Sequence, residues 1–429
     1  MVRLLLALAL ILAVLAGTIA ALNLRDEDPV GEIQSADAAK FAEPALIERG
    51  RYLALVGNCA ACHTARGGQA YAGGTGIATP FGTVYASNLT PDPVTGIGSW
   101  SASHFWRAMH NGRSRDGRLL YPAFPYTDYT RVTREDSDAI YAWLRTLPAV
   151  ERRNSPNALR FPYNSQIALA VWRALFFEPQ AHEADAGRSA QWNRGSYLVN
   201  GLGHCAACHS GRNLFGATSG TLDLSGGLIP MQNWYAPSLQ APDEAGVADW
   251  EMRDIVDLLG KGQSRRGSVI GPMAEVVFRS TQYLSSADLG AIAVFLKDLP
   301  QAPARERPQA AAGAFDATVQ QGAKVYEDNC AGCHGKQGEG VPGVYPPLAG
   351  NRAVTMDPPA NVVQIVLGGG FAPATAANPR PYGMPPYATA LSDADIAAVL
   401  TMIRASWGNN GRPITTVDVH RYRSGSTGG

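Results

Sequence analysis

The stretch "CAACH" at residues 59–63 occurs again, letter for letter, at 205–209, and returns as "CAGCH" at 330–334. These three copies of Cys-x-x-Cys-His contain all six cysteines of the 429-residue chain. Two thiols about one helical turn apart can add across the two vinyl groups of a haem, and the next His can then bind the iron. The repetition favours covalent haem attachment over a redox dithiol, a zinc site or a disulfide framework.

The sequence therefore predicts three covalently bound haems of the c type. The predicted thioether pairs are Cys59 with Cys62, Cys205 with Cys208, and Cys330 with Cys333. The predicted proximal iron ligands are His63, His209 and His334.

A methionine sulfur is the expected sixth ligand of two of these haems. Met384 lies in "YGMPPY", eight residues before Ser392, and Met273 lies in "GPMAEV", twelve residues before Ser285. Both follow Gly or Gly-Pro in a loop that precedes a predicted closing helix, where haem domains of class I usually supply this ligand. His/Met ligation raises the reduction potential and suits electron transfer.

The first repeat departs from this pattern. Its equivalent loop is "YPAFPY", in which Phe124 takes the place of Met and cannot bind iron. Three alternatives stay open: Met109 is the ligand, His104 or His110 is the ligand, or the iron is five-coordinate. Against Met109 stands its position in the helix-like stretch "HFWRAMHNG", where such a residue is more often part of a core.

Helix signals frame each motif. A short helix-like stretch containing a Gly runs into each first Cys. Each repeat closes with Ser or Thr followed by an acid and then apolar residues at helical spacing, as in "LSDADIAAVLTMIRASW". We therefore expect a mainly α fold: three tandem haem domains like class I cytochromes c, with Gly/Pro-rich loops, preceded by a transmembrane helix.

The predicted organisation divides the chain into seven parts. They are an N-terminal anchor or signal at 1–25, haem domains at 40–150, 191–300 and 317–408, a linker with an apolar helix at 151–190, an Ala/Pro-rich linker at 301–316, and a Gly/Ser-rich tail at 409–429. The apolar stretch "IALAVWRALFF" (167–177) fits a helix packed on a haem domain, a membrane-surface helix or a contact with a partner subunit.

The N-terminus is typical of a membrane span. Residues Leu4–Leu22 carry no charge, and nineteen residues reach about 28 Å, close to the thickness of a bilayer. Arg3 precedes the run and "NLRDEDP" follows it, so the remainder should lie outside the cytoplasm. An uncleaved anchor is favoured because the run is long for a signal peptide; a cleaved signal is the alternative.

The remaining composition argues against other functions. The 36 basic residues balance the 36 acidic residues, which gives no support for nucleic-acid binding. The chain contains no P-loop, G-x-S-x-G or HExxH motif, so we expect no catalytic site of its own and assign the chemistry to the haems.

Several segments resemble the triheme cytochrome c subunits of bacterial membrane-bound periplasmic dehydrogenases. They include "TPFGTVYASNLTPDPVTGIGSW", "WNRGSYLVNGLGHCAACHSGRN" and "YGMPPYATALSDADIAAVLTMIRASWGN", and the likeness covers roughly residues 45–410. The resemblance implies a catalytic partner carrying molybdopterin, PQQ or flavin, possibly a small iron-sulfur subunit, and electron delivery to ubiquinone at the periplasmic face of the inner membrane.

Within this family, "YPAFPY" and "LRFPYNSQIALAVWRALFF" look more like the subunits of molybdenum-type aldehyde dehydrogenases. The alternatives are a subunit of a PQQ- or flavin-dependent alcohol or sugar dehydrogenase, a free-standing haem enzyme acting at a five-coordinate first haem, or an electron carrier without a fixed partner.

Overall fold

The computed structural model describes residues 1–27, 30, 39–218, 223–303 and 316–425, and most of its regular structure is helical. The chain forms two compact units. Unit 1 comprises Met1–Gly187, Tyr197–Ala207 and Arg212–Thr221; unit 2 comprises Arg188–Ser196, Cys208–Gly211 and Leu222–Gly429. Most of the predicted linker at 301–316 lies outside the described residues.

Unit 1 is built around helices from the first half of the chain. They are α1 (Val2–Asn23), α2 (Pro44–Val56), α3 (Cys59–His63), α4 (Ala102–Asn111), α5 (Tyr126–Tyr129), α6 (Arg134–Leu144) and α7 (Gln166–Phe176). A small antiparallel sheet joins them in the order β1 (Gly76–Thr79), β2 (Gly82–Tyr85) and β3 (Ala158–Leu159), with Ile77 opposite Val84 and Gly82 opposite Leu159.

The second repeat begins with α8 (Ala190–Tyr197), which continues into one π-helical segment, Leu198–Leu202, and then into α9 (Ala206–His209). The later helices of unit 2 are α10 (Met252–Lys261), α11 (Pro272–Arg279), α12 (Ser286–Lys297), α13 (Asp316–Asn329), α14 (Ala331–His334), α15 (Arg352–Thr355), α16 (Ala360–Gly368), α17 (Asp393–Ala405) and α18 (Thr416–Gly425). A 3₁₀ turn spans Thr281–Tyr283.

The strands of unit 2 form three two-residue antiparallel pairs. They are β4 (Gly227–Leu228) with β5 (Tyr235–Ala236), β6 (Gln263–Ser264) with β7 (Gly267–Ser268), and β8 (Gly370–Phe371) with β9 (Gly383–Met384).

The same helix crossing occurs three times, and a glycine makes each one possible. A Cβ on Gly50 of α2 would lie 1.8 Å from the carbonyl oxygen of Ala139 in α6. The corresponding distances are 2.1 Å from Gly195 to Ala291 and 2.2 Å from Gly322 to Ala398. Only glycine permits such close approach of two backbones. The helix before each motif therefore packs directly on the helix that closes the repeat.

Polar contacts repeat at the same crossings. Thr133, Ser285 and Ser392 are the N-caps of α6, α12 and α17, and each accepts a hydrogen bond from the backbone N–H of an Asp three residues later. These are the helix starts that the sequence indicates. Each Asp side chain, in turn, accepts from the residue just before the crossing glycine: Arg49 with Asp136 at 2.8 Å, Arg194 with Asp288 at 2.8 Å, and Gln321 with Asp395 at 3.1 Å.

Residues 409–429, predicted as a tail, contain the helix α18. Its Val419 and Tyr422 are buried in the core that α13, α16 and α17 form. Arg423 ties the helix down by donating to Asp393 at 2.5 Å and to Leu391 O at 3.1 Å. Helix α18 is therefore part of the third repeat's fold.

The N-terminal helix α1 is long and apolar enough to cross a membrane, with a mean hydropathy of 2.8 and no buried residue in its most apolar window. Against the described residues, the partly or fully buried side chains of α1 all lie near its end. There Asn23 is 8% exposed and donates from Nδ2 to Ala170 O of α7 at 2.9 Å.

Candidate haem-binding sites

Each Cys-x-x-Cys-His motif coincides with a single short helix: α3, α9 or α14. In the first two motifs, the residue before the first Cys has a left-handed backbone, with φ of 50° at Asn58 and 38° at His204. This conformation is uncommon outside Gly, Asn and Asp. It turns the chain sharply from the incoming helix into the motif.

Each of the three motif histidines makes the same kind of hydrogen bond, from ring Nδ1 to a backbone carbonyl. His63 Nδ1 lies 2.7 Å from Ser87 O, His209 Nδ1 lies 2.7 Å from Pro237 O, and His334 Nδ1 lies 3.1 Å from Pro346 O. A carbonyl only accepts, so Nδ1 must carry the proton in each ring. The tautomer thus fixed leaves Nε2 unprotonated and available to a metal.

Partial burial favours the neutral form of these imidazoles. It lowers the pKa of His63, His209 and His334 below the usual range, although the backbone carbonyl partly opposes this shift in each case. A neutral imidazole with a free Nε2 is the form that binds iron, so the histidines fit the proximal position of a haem.

The thiols do not resemble a redox pair. Burial, with a smaller contribution from Cys62, raises the pKa of the Cys59 thiol to about 12, and burial raises that of Cys330 to about 11. Reactive Cys-x-x-Cys dithiols depend on a lowered pKa. All six cysteines are free thiols in the structure, and the second of each motif, Cys62, Cys208 or Cys333, is exposed. Exposed second thiols are accessible for thioether formation.

The two methionines predicted as sixth ligands lie near loops. Met384 belongs to β9, opposite Gly370, and packs half-buried against the core of the third repeat. Met273 lies in the first turn of α11, directly after Gly271 and Pro272, and contacts a small apolar cluster. Neither is locked inside a long helix, so both positions are compatible with the predicted role.

Met109 occupies a different setting, inside α4 and 4% exposed. Helices α4, α10 and α16 all end at a left-handed glycine: Gly112, Gly262 and Gly369. When the three are aligned on that glycine, the positions three residues earlier are Met109, Leu259 and Val366. Two of these side chains cannot bind iron, so the position is one that the other repeats use for packing.

The two neighbouring histidines of α4 already have other contacts. His104 Nδ1 lies 2.8 Å from Ser101 Oγ in a capping box at the start of the helix. The ring of His110 stacks on Trp106, with centroids 4.5 Å apart. Phe124, in the loop where the other repeats have Met, packs against Tyr129 at 5.5 Å.

Tyr129 connects the segments that precede the first and second motifs. Its hydroxyl donates to Gly57 O at 3.1 Å and lies 3.5 Å from His204 Nδ1. At the same place a Cβ on Gly57 would be 3.0 Å from Leu202 Cδ1. The first and second motifs therefore begin close together within unit 1. The sequence carries no local signal for Tyr129, because its contacts join residues 72 and 75 positions apart.

Comparison with known proteins agrees with this geometry. The family model of cytochrome c matches residues 47–148 and 319–407. The chain is 38% identical over 401 residues to the alcohol dehydrogenase (quinone) cytochrome c subunit of Gluconobacter oxydans, which covers 90% of this chain and 84% of that protein.

Two further relatives are named for other substrates. The chain is 36% identical over 402 residues to the gluconate 2-dehydrogenase cytochrome c subunit of Pantoea cypripedii, covering 90% of this chain and 91% of the relative. It is 32% identical over 406 residues to the fructose dehydrogenase cytochrome subunit of Gluconobacter japonicus, covering 88% of this chain and 83% of the relative. Similarity thus extends across cytochrome subunits of dehydrogenases that act on different substrates.

Proposed function

We propose that this chain, which belongs to the family of cytochrome c subunits of bacterial dehydrogenases, holds three haems. It relays electrons from a catalytic subunit to the respiratory chain. Membership of the family means covalently bound haem c and a dehydrogenase partner. The single observation that best supports three haems is the hydrogen bond from Nδ1 to a backbone carbonyl, made by the histidine of every motif.

The residues of each site have separate roles. The two cysteines tether the haem, the histidine offers Nε2 to the iron, and the carbonyl of Ser87, Pro237 or Pro346 fixes the ring's tautomer and orientation. The haem iron supplies the redox chemistry by changing between two oxidation states. Met273 and Met384 are the proposed sixth ligands of the second and third haems.

For the first haem, we propose that Met109 is a packing residue, which leaves a histidine of α4 or an open iron. The equivalence of Met109 with Leu259 and Val366 supports this assignment. A first haem without Met should have a lower potential than the other two.

The proposed domains follow the three glycine crossings, one for each motif. Contacts inside each unit link neighbouring repeats. In unit 1, Tyr129 joins the approaches to the first and second motifs. In unit 2, the second repeat's Tyr235 exchanges two hydrogen bonds with Asn361 of the third, at 2.8 and 2.7 Å.

The proposed location is the periplasmic face of the inner membrane, with α1 as the anchor. The apolar character of α1 and the buried contacts of Asn23 at its end support retention of this helix. Ubiquinone is the proposed acceptor, and a small iron-sulfur subunit is a proposed further partner.

Among catalytic partners, we favour a molybdenum-type aldehyde dehydrogenase. The Phe124 form of the loop and the apolar segment that forms α7 support this choice. A PQQ- or flavin-dependent alcohol or sugar dehydrogenase is the second candidate, and the similarity to the named alcohol and gluconate dehydrogenase subunits favours it.

The haem number can be tested on the purified chain. Pyridine haemochrome analysis should give three haems per polypeptide, and they should remain attached on a denaturing gel. Changing both cysteines of any one motif to Ala should reduce the count to two. A wild-type count of two would contradict the proposal.

The partner can be identified by purifying the complex from membranes through a tag on this chain. Molybdenum in the complex, with aldehyde-dependent reduction of the haems, is the expected result. Recovery of PQQ or flavin instead, with haem reduction by an alcohol or sugar, would replace the molybdenum assignment by the second candidate.

A further inference from the structure

Helix α7 exposes an apolar stripe. Ile167, Val171 and Leu175 are 79%, 37% and 68% exposed, and their four-residue spacing places them on one side of the helix. The other side carries Leu169 and Arg173, which are 4% and 3% exposed. Helix α7 thus packs on unit 1 through one side only, and a line of aliphatic side chains faces outward on the other.

The end of α1 lies along one flank of this stripe. Asn23 donates to Ala170 O, and Arg173 donates from Nε to Asn23 Oδ1 at 2.9 Å. In α1 only Ile19, Leu22 and Asn23 are partly or fully buried, so α7 meets α1 at its last turn. A helix of 22 residues is about 33 Å long, so this turn is where α1 would leave a bilayer of about 30 Å.

The opposite flank adds two more exposed apolar side chains. Trp172 donates from Nε1 to Phe215 O at 2.9 Å, and the rings of Phe176 and Phe215 are 5.8 Å apart. Phe215 is 58% exposed and its neighbour Leu214 is 95% exposed. We call the combined surface the α7 face; its residues are Ile167, Val171, Leu175, Leu214 and Phe215.

We propose that the α7 face lies in the interfacial layer of the same bilayer that α1 spans. The position of α7 at the last turn of α1 brings its outward stripe to the level of the lipid surface. The only charged residue of α7, Arg173, is buried and bound to Asn23, so no charge opposes insertion of the stripe. An amphipathic helix beside a membrane span gains by burying its apolar side among lipid chains.

Two charged residues close to this level are paired with each other. Arg25, just after α1, and Glu178, just after α7, form an ion pair at 2.9 Å, and both are exposed. Such a pair suits the headgroup region. A lipid surface accounts for the α7 face better than a partner subunit does, since the face lies beside the last turn of a helix that is exposed over residues 2–18.

The proposal rests on α1 being the anchor, and the experiment tests the anchor and the lipid contact of the α7 face separately. Single cysteines replace Val171 in the α7 face, Leu10 in α1, or Val94, an 84% exposed valine elsewhere in unit 1. The haem-loaded full chain is spin-labelled at that cysteine and reconstituted into phosphatidylcholine–phosphatidylglycerol vesicles. Collisions of each label with oxygen and with a water-soluble nickel chelate are then compared.

The label at V171C should favour oxygen over the nickel chelate, as the L10C label does, while the V94C label should favour the chelate. A V171C label that behaves like V94C, with L10C in lipid, would overturn the proposal and leave the anchor intact. Shielding of V171C from both reagents would mean burial against protein and would also overturn it. An L10C label in water would overturn both the anchor and the proposal.

Discussion

At the scale of single residues, the group that orients the histidine is the same backbone hydrogen bond in all three sites, but it does not come from the same residue type. The carbonyl that receives the histidine Nδ1–H belongs to Ser in one site and to Pro in the others, and it lies 24, 28 or 12 residues after its histidine. A backbone carbonyl can be supplied by any residue and from any loop length. The histidines were therefore predictable from sequence, whereas the groups that orient them were not.

The proposed methionine ligands give the first prediction. Met273→Leu and Met384→Leu should each lower the potential of one haem and weaken the far-red band of Met–iron ligation, because leucine keeps the volume but removes the sulfur. Met109→Leu should change neither the potential nor the band. The control Met402→Leu, whose side chain is 5% exposed within α17, should also leave both unchanged. A redox titration followed by absorption measures both effects. A weaker band in Met109→Leu would restore that residue as a ligand.

The second prediction concerns Asp128, which is 4% exposed in α5. Its Oδ1 has no hydrogen-bond partner among the described residues, and burial raises its pKa from 3.8 to about 6, against the smaller effects of Thr127 and Arg131. Since the folded state holds this proton more tightly than the unfolded state, stability should fall as pH rises from 4 to 6. A pKa shift of this size lowers the free energy of unfolding by about 3 kcal/mol between low pH and pH values above 6.

Asp128→Asn removes the charge and nearly keeps the shape. The melting temperature of Asp128→Asn, measured by circular dichroism, should therefore exceed that of the wild type by more at pH 8 than at pH 4. Asp116→Asn, at an exposed carboxylate, is the control and should show no such trend. An Asp128→Asn advantage independent of pH would show that the carboxyl does not titrate as described.

At the scale of elements, the three repeats are held together by the crossing of their first and last helices. The crossing needs a glycine in the first helix so that the two backbones can touch, as Gly195 does with Ala291. It also needs an Asp in the first turn of the closing helix for the polar bond beside it, as Asp288 forms with Arg194. Helix α1 has neither contact, which agrees with its separate role.

A third prediction follows for this crossing. In Gly195→Ala the new Cβ would lie 2.1 Å from Ala291 O and 2.8 Å from Phe295 Cβ, so α8 and α12 must separate. Overpacking of this kind costs about 1–3 kcal/mol or more, and the melting temperature of unit 2 should fall. The control is Gly368→Ala at the end of α16, where an added Cβ would meet no described atom within 4 Å apart from its chain neighbours and its own helix backbone, and helix propensity predicts a small gain. Equal melting temperatures in the two variants would contradict this account.

Sequence predicted these elements unevenly. The closing helices begin at Thr133, Ser285 and Ser392, where the capping signals are, because a cap is a local interaction. Helix α18 was missed: Gly and Ser around it suggest a tail, and its stability comes from burying Val419 and Tyr422 against distant residues. The two-residue strands could not be predicted either, because the alternation of apolar and polar residues that marks a strand is recognisable only in longer segments.

At the scale of the whole molecule, buried polar contacts fix the end of α1 to the rest of unit 1. Besides Asn23, Glu27 pairs with Arg113 at 2.8 Å and with Arg107 at 3.4 Å, and all three side chains are mostly buried. A polar cluster of this kind holds its partners in one arrangement and is costly when one partner is lost. The end of α1 is thus held by folded residues of unit 1.

The last prediction is that this helix is retained in the mature protein. Cleavage between α1 and residue 27 would remove Asn23 and leave the guanidinium of Arg173, 3% exposed, without its side-chain acceptor. Intact mass should therefore equal the chain from Met1 or Val2 plus three haems, and extraction should require detergent. Asn23→Leu should lower the melting temperature of unit 1, whereas Thr18→Leu, on the exposed part of α1, should not. A mass lacking some twenty N-terminal residues would overturn the anchor while leaving export across the membrane in place.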